Sequence, residues 1–183
     1  MGVVKLAYEF FDGEVKVIQT LPFYDTRGFL SIPFRQDEFK ALGLPTEFVQ
    51  SNHSRSHKNV IRGLHFQLNP PMGKLMRVSR GMVWLVTVDM RIDSPTFLDW
   101  VGNTVSEENN FQVWASAGFA RGFAALTEGA EVQYLCTGMF DPEGDTTVRW
   151  DDPDIDVDWQ VDQPILSDKD RNAPTVEEWI LSP

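Results

Sequence analysis

Cysteine and histidine are scarce in this chain, which has one cysteine, Cys136, and three histidines, His53, His57 and His65, among 183 residues. A lone cysteine excludes an intramolecular disulfide framework and fits a reducing compartment. Its setting, Val132-Gln133-Tyr134-Leu135-Cys136, reads as an apolar strand and favours a buried structural thiol over a nucleophile. Metal-ligand spacing is missing as well. No His-X-His pair occurs, and His53 and His57 share a face only on a helix, which Asn52, Ser54, Ser56 and Asn59 disfavour. Neither Gly-x-Gly-x-x-Gly nor Gly-x-x-x-x-Gly-Lys-Ser/Thr is present, so no metal, dinucleotide or other cofactor is expected.

Positive charge is the next shortage. Sixteen basic residues stand against 27 acidic ones, a formal net charge of -11, and a field of that sign repels a phosphate backbone. Nucleic acid is therefore not an expected partner. No apolar run approaches the roughly 18 residues of a spanning helix. Met1-Gly2-Val3-Val4-Lys5-Leu6 has no hydrophobic leader core behind it, so a cytoplasmic location without membrane association is expected.

What the chain does have is apolar and aromatic bulk. Hydrophobic residues make up 42% and aromatics 12%, enough for one packed core, and the length suits a single domain over residues 1–183. Lys5 to Phe23 mixes short apolar runs with charges around Asp12-Gly13, as in a hairpin-like pair of strands. Asp25-Thr26-Arg27-Gly28-Phe29-Leu30 is a turn leading into a strand. Arg35 to Leu42 is the clearest helix candidate, with Phe39 and Leu42 at helical spacing and Gly43 as its stop. Strands then follow at short intervals: Glu47 to Asn52, Val60 to Gln67, Leu75 to Val78, Met82 to Met90, Trp100 to Val105, Phe111 to Trp114, Gly122 to Leu126 and Glu131 to Thr137. Met82 to Met90 is almost continuously apolar and is expected to be covered on both faces. Many short strands with little helix point to an all-β sandwich or barrel of the jelly-roll kind. The aspartates between Asp151 and Asp158 lack the central glycine and distal glutamate of a calcium loop and read as a solvated loop. From Leu166 the tail reads as an irregular wrap around the β core.

All three histidines fall in one basic and amide-rich stretch, Gln50 to Lys74, of an otherwise acidic chain. Histidine is the side chain from which acid–base chemistry at neutral pH most easily starts. As a strand, Val60 to Gln67 places Arg62, Leu64 and Phe66 on one face and Ile61, Gly63, His65 and Gln67 on the other, so His65 stands beside a glycine that leaves room for a ligand. On spacing alone a strand histidine is more often structural than catalytic. Lys74 and Tyr134 read as surface charge and packing, and Arg27 as a solvated charge or an anion ligand.

Ordered blocks along nearly the whole chain add more: Asp25-Thr26-Arg27-Gly28-Phe29, Gln50-Ser51-Asn52-His53-Ser54, Arg62-Gly63-Leu64-His65-Phe66-Gln67, Gly73-Lys74-Leu75, Val88-Asp89-Met90-Arg91, Ser94-Pro95-Thr96-Phe97, Gly118-Phe119-Ala120, Trp150-Asp151-Asp152-Pro153 and Ser167-Asp168-Lys169-Asp170. In these the chain resembles the dTDP-4-dehydrorhamnose 3,5-epimerase family, the metal-independent sugar-nucleotide epimerases of the cupin class. The resemblance implies a cupin-type jelly-roll β-barrel or sandwich, and a homodimer whose N-terminal strands cross to the partner. It also implies a nucleotide-linked 4-keto-6-deoxyhexose as substrate, inverted at carbons beside the ketone. By that resemblance His65 is the base, held by Asp170; Lys74 stabilises the enolate and Tyr134 is the acid. Arg27 and Arg62 hold the pyrophosphate, Gln50 and Asn52 lie near the nucleotide or sugar, and Phe23 stacks on the base from the partner chain.

The chain also departs from the family pattern. Arg121 replaces the histidine of Gly-Phe-Ala-His-Gly-Phe, and Leu85 stands where an aspartate is usual. Met139 and Phe140 occupy the place of two tyrosines and Ile32 that of a glutamate, changes that by the resemblance lie toward the nucleotide, so that Arg121 and Met139 count among the expected substrate-binding residues. Arginine is permanently charged and cannot shuttle a proton. These departures leave three readings open: a 3,5-epimerase on a dTDP-sugar, an epimerase of one centre only on a dTDP-, CDP- or GDP-linked sugar, and a non-catalytic sugar-nucleotide-binding cupin.

Overall fold

A computed structural model describes residues 2–181. Two antiparallel sheets form a sandwich. The first has the spatial order β1 (Val4–Phe10), β2 (Val15–Thr20), β10 (Phe111–Ala115), β7 (Lys74–Arg80), β12 (Ala130–Cys136) and β5 (Gln50–Ser56). The second runs β13 (Asp145–Thr147), β6 (Ile61–Gln67), β11 (Phe119–Ala125), β8 (Met82–Asp89) and β9 (Trp100–Ser106). A separate hairpin joins β3 (Phe23–Asp25) to β4 (Gly28–Leu30), and the helices are short: α1 (Gln36–Ala41), α2 (Asp168–Arg171) and α3 (Val176–Leu181).

The pleat explains the layers. In β8, Val83 and Leu85 point between the sheets, where they pack with Val17, Val113, Phe119 and Phe123. Val86 and Val88 point to the opposite face, against Ile155, Trp159 and Val176 of the C-terminal segment. The strand is thus covered on both faces, as its continuous apolar run requires. On the far side of the six-stranded sheet Phe39 of α1 is fully buried with Val4, Ile18 and Trp114.

Three local features differ from the sequence expectation. β5 runs Gln50–Ser56 rather than from Glu47, because a strand of Ser, Asn, His and Arg at a sheet edge carries no apolar alternation. β11 begins at Phe119, not Gly122. In β6 the alternation breaks. Arg121 faces His65 while Phe123 faces Arg62, a bulge that sets two residues of β6, Gly63 and Leu64, against Gly122 alone of β11. Arg62 therefore shares a cavity with His65, while Leu64 and Phe66 pack into the core beneath the C-terminal segment. Gly63 makes the bulge possible. Its φ is +131°, and a Cβ there would lie 2.5 Å from Gly122 Cα. The space at Gly63 thus serves the close approach of two backbones rather than a ligand.

Candidate active site

The C-terminal segment is fastened to the start of β6 by backbone hydrogen bonds, Ile61 N to Ile165 O at 3.0 Å and Ile165 N to Asn59 O at 2.9 Å. Five residues further on, the first turn of α2 turns Asp170 inward. Ser167 caps that helix: its Oγ accepts from Asp170 N at 3.1 Å and donates to Asp170 Oδ2 at 2.8 Å. The other carboxylate oxygen, Oδ1, lies 2.5 Å from His65 Nε2. Sequence-distant groups thus form a carboxylate–imidazole pair, with Asp170 buried and His65 partly open to a cavity of about 390 Å³.

Burial alone would raise the Asp170 carboxyl, but the hydrogen bonds and charge of His65 with the Ser167 hydroxyl hold it below the ordinary carboxylate range. It is an anion at neutral pH, and it fixes the ring. With Nε2–H donating to Asp170, the neutral imidazole carries its lone pair on Nδ1, the nitrogen left to accept a proton.

Lys74, Tyr134, Arg62 and Arg121 line the same cavity. Lys74 starts β7, and its Nζ lies 6.0 Å from the centre of the Tyr134 ring. Burial, then the charge of Arg121, pulls the Lys74 ammonium down to about 8. Tyr134 is pushed above its ordinary value, chiefly by burial, so at neutral pH it is a phenol with a proton to give. Arg62 donates to Ser56 Oγ at 3.1 Å and reaches the Arg55 carbonyl. Ser54, Ser167 and Lys169 also line the cavity, though sequence reasoning assigned them no role; the Ser167-Asp168-Lys169-Asp170 block was the available signal. Lys169 is paired with Asp145 of β13. Arg62, Lys74, Arg121 and Lys169 set four cations against the single carboxylate of Asp170, so the lining is positive inside a chain of net charge -11.

The remaining sequence candidates, Gln50, Asn52, Phe23, Arg27 and Met139, lie outside the cavity lining. Gln50 and Asn52 lie on the edge strand β5 and are bonded to each other at 3.0 Å; Gln50 Oε1 accepts from Phe140 N and Asn52 reaches the Cys136 sulfur. Phe23, Arg27 and Met139 do not line the cavity. Phe23 sits on β3, Arg27 is paired with Asp25 in the turn of the hairpin, and Met139 is exposed while its carbonyl accepts from Gln67 Nε2 at 3.0 Å. Cys136 is buried, as a structural thiol should be. The acidic run is also structural in part: Asp152 is buried and accepts from Asp154 N and Val176 N.

The two-sheet sandwich and its likeness over nearly the whole chain to solved sugar-nucleotide epimerases make this protein an isomerase of the cupin class. The family model for dTDP-4-dehydrorhamnose 3,5-epimerase matches residues 13–178, and the chain belongs to that family. It is 46% identical over 162 residues to the dTDP-4-dehydrorhamnose 3,5-epimerase of Pseudomonas aeruginosa, covering 87% of this chain and 90% of that one. The fold superposes with a TM-score of 0.90, at 39% identity over 95% of this chain and 93% of the other, on the 3,5-epimerase RmlC of Legionella pneumophila solved with dTDP-4-keto-L-rhamnose. ChmJ of Streptomyces bikiniensis, a 3'-monoepimerase solved with dTDP-quinovose, matches at a TM-score of 0.86 and 34% identity over 93% of this chain and 89% of that one.

Proposed function

We propose that this protein epimerises a dTDP-4-keto-6-deoxyhexose at carbon adjacent to the ketone. A proton alpha to a carbonyl is removed when a base is in reach and the negative charge gathering on the oxygen is met by a fixed cation. His65 Nδ1 takes that proton, Asp170 holds the ring and the charge it acquires, and the Lys74 ammonium meets the enolate oxygen. Tyr134 returns a proton to carbon from the other face. The observation that carries the reading is the opening of the His65–Asp170 pair onto the cavity shared by Lys74 and Tyr134. Turnover of dTDP-4-keto-6-deoxyglucose in heavy water, read by product mass, tests it. Deuterium enters the product sugar on this account; tight binding with no deuterium entering would make the protein a binding module.

A single-centre epimerase is the second reading, and Arg121 favours it. That side chain occupies the family's histidine position and cannot pass a proton, and its two Nη atoms are engaged by backbone carbonyls. One deuteron per product sugar supports this reading; two per sugar rule it out.

The nucleotide side of the site is completed in a homodimer. The β3–β4 hairpin exposes Phe23, Tyr24, Phe29 and Leu30, large apolar side chains rarely left together in water, and carries Arg27 at its turn. Docked on a second copy, Phe23 stacks on the base and Arg27, with Arg62, holds the pyrophosphate. Sedimentation of the intact protein as a monomer at micromolar concentration would contradict this.

A further inference from the structure

Arg121 is 3% exposed, yet among the described residues no carboxylate pairs with it. Its side chain leaves β11 in one sheet and reaches the other. There Nη1 and Nη2 both donate to the Lys74 carbonyl at 3.1 Å, and Nη2 also donates to the Ala115 carbonyl at 2.7 Å. Lys74 and Ala115 face each other at the last register position of the β7–β10 ladder, so the guanidinium closes that ladder's end and ties it to β11. Only Nε is buried without a partner. Burial draws Arg121 down to about 9, which leaves it charged at neutral pH.

The groups around the Lys74 ammonium can be taken in turn. Asp145 of β13 is occupied by Lys169 of α2, and Asp170 by His65. Tyr134 and Cys136 of β12 are both pushed up by burial and stay neutral. Arg62 lies on the exposed side of the cavity, bonded to Ser56. Burial, and after it Arg121, which lines the same cavity and holds the Lys74 carbonyl, lowers Lys74.

We propose that Arg121 is a positioning residue for Lys74: it grips the Lys74 carbonyl with both Nη atoms and brings its own charge, unpaired with any carboxylate, to the cavity that the ammonium lines. Its role runs through Lys74, whose backbone it holds. An ammonium next to a second buried cation is a stronger donor to an enolate oxygen, and it loses its proton closer to neutrality. The inference rests on the epimerase reading for its role in turnover, but its electrostatic core can be measured without substrate.

That measurement is the pH titration of Lys74 by carbon-13 NMR of the reductively methylated protein, the resonance being assigned by its loss in Lys74→Arg. The wild-type midpoint falls near 8. In Arg121→Gln, and in Arg121→His, which installs the family's own residue, it rises by about one pH unit or more as the neighbouring charge goes; in Arg121→Lys it stays. A wild-type midpoint above 10, or one unmoved in Arg121→Gln and Arg121→His, overturns the proposal and leaves Arg121 a strut between sheets. In turnover the alkaline limb follows the same midpoint and vanishes in Lys74→Arg, whose side chain does not titrate there. A limb near 8 that persists in Lys74→Arg also overturns it. Wild-type protein that catalyses no exchange refutes the epimerase reading instead, and the NMR titration still decides this one.

Discussion

The interior cavity and the β3–β4 hairpin differ in how far one chain completes them. In the cavity the groups proposed for catalysis are held from within the same chain: Asp170 orients His65, Ser167 holds Asp170 and Arg121 holds the Lys74 backbone. The hairpin is the reverse. Phe23 is 48% and Tyr24 71% exposed, and the Arg27 side chain is 88% exposed with only Asp25 two residues away to hold it. Proton transfer demands positions fixed to fractions of an ångström, which a packed sandwich supplies. Gripping a nucleotide demands area and charge, which a protruding hairpin supplies once another surface faces it.

Substitutions in the two regions should therefore separate rate from affinity. The largest effects belong to the cavity: His65→Ala lowers turnover by about 10²–10⁴-fold, the span of a lost general base, and Lys74→Ala by about 10²–10³-fold, the loss typical of one oxyanion donor. Steady-state kinetics at saturating substrate read both, and near-normal kcat in either would break the assignment. The hairpin comes next. Phe23→Ala gives up a stacking contact worth ~1–3 kcal/mol, seen as a raised KM with kcat little changed; a fall in kcat at constant KM would move Phe23 into the chemistry.

The smallest effect concerns pH. Lys74 is lowered from 10.5 to about 8, so between those values the folded protein binds fewer protons than the unfolded chain, and its stability rises with pH across that window. Activity falls over the same range as the ammonium is lost. Denaturant melts at pH 8 and 10 should show the wild type gaining relative to Lys74→Met; equal changes in the two proteins would deny the depressed ammonium.

Strands such as β8 were legible in the sequence because burial on both faces demands an unbroken apolar run, and α1 because Phe39 and Leu42 repeat at helical spacing before Gly43. The wrap was legible only as a wrap. Its helix α3 follows Thr175, whose Oγ1 accepts from Glu178 N while Glu178 accepts from Thr175 N, so Thr175-Val176-Glu177-Glu178 is a capping box and the one local signal for that helix. Strand β5 is hard to place because a polar edge strand of Ser, Asn, His and Arg has no apolar alternation and looks like loop. The bulge at Gly63 lay beyond any period-two pattern, since it is set by the approach of Gly122 from another strand. His65 and Asp170 lie 105 positions apart, so no local spacing joins them; only the resemblance paired them before the fold brought them to 2.5 Å. That Arg121 turns its Nη atoms to the Lys74 and Ala115 carbonyls was not readable either, because a backbone partner leaves no mark on residue identity.

The central claim is that one imidazole, steered by Asp170, removes a proton from carbon next to a ketone. Its most direct test is the rate at which deuterium from heavy water enters dTDP-4-keto-6-deoxyglucose, compared between wild type and His65→Ala with dTDP affinity checked in both. The account predicts rapid incorporation by the wild type and a rate lower by about 10²–10⁴-fold in the variant at equal affinity. Incorporation at close to the wild-type rate in His65→Ala would contradict it.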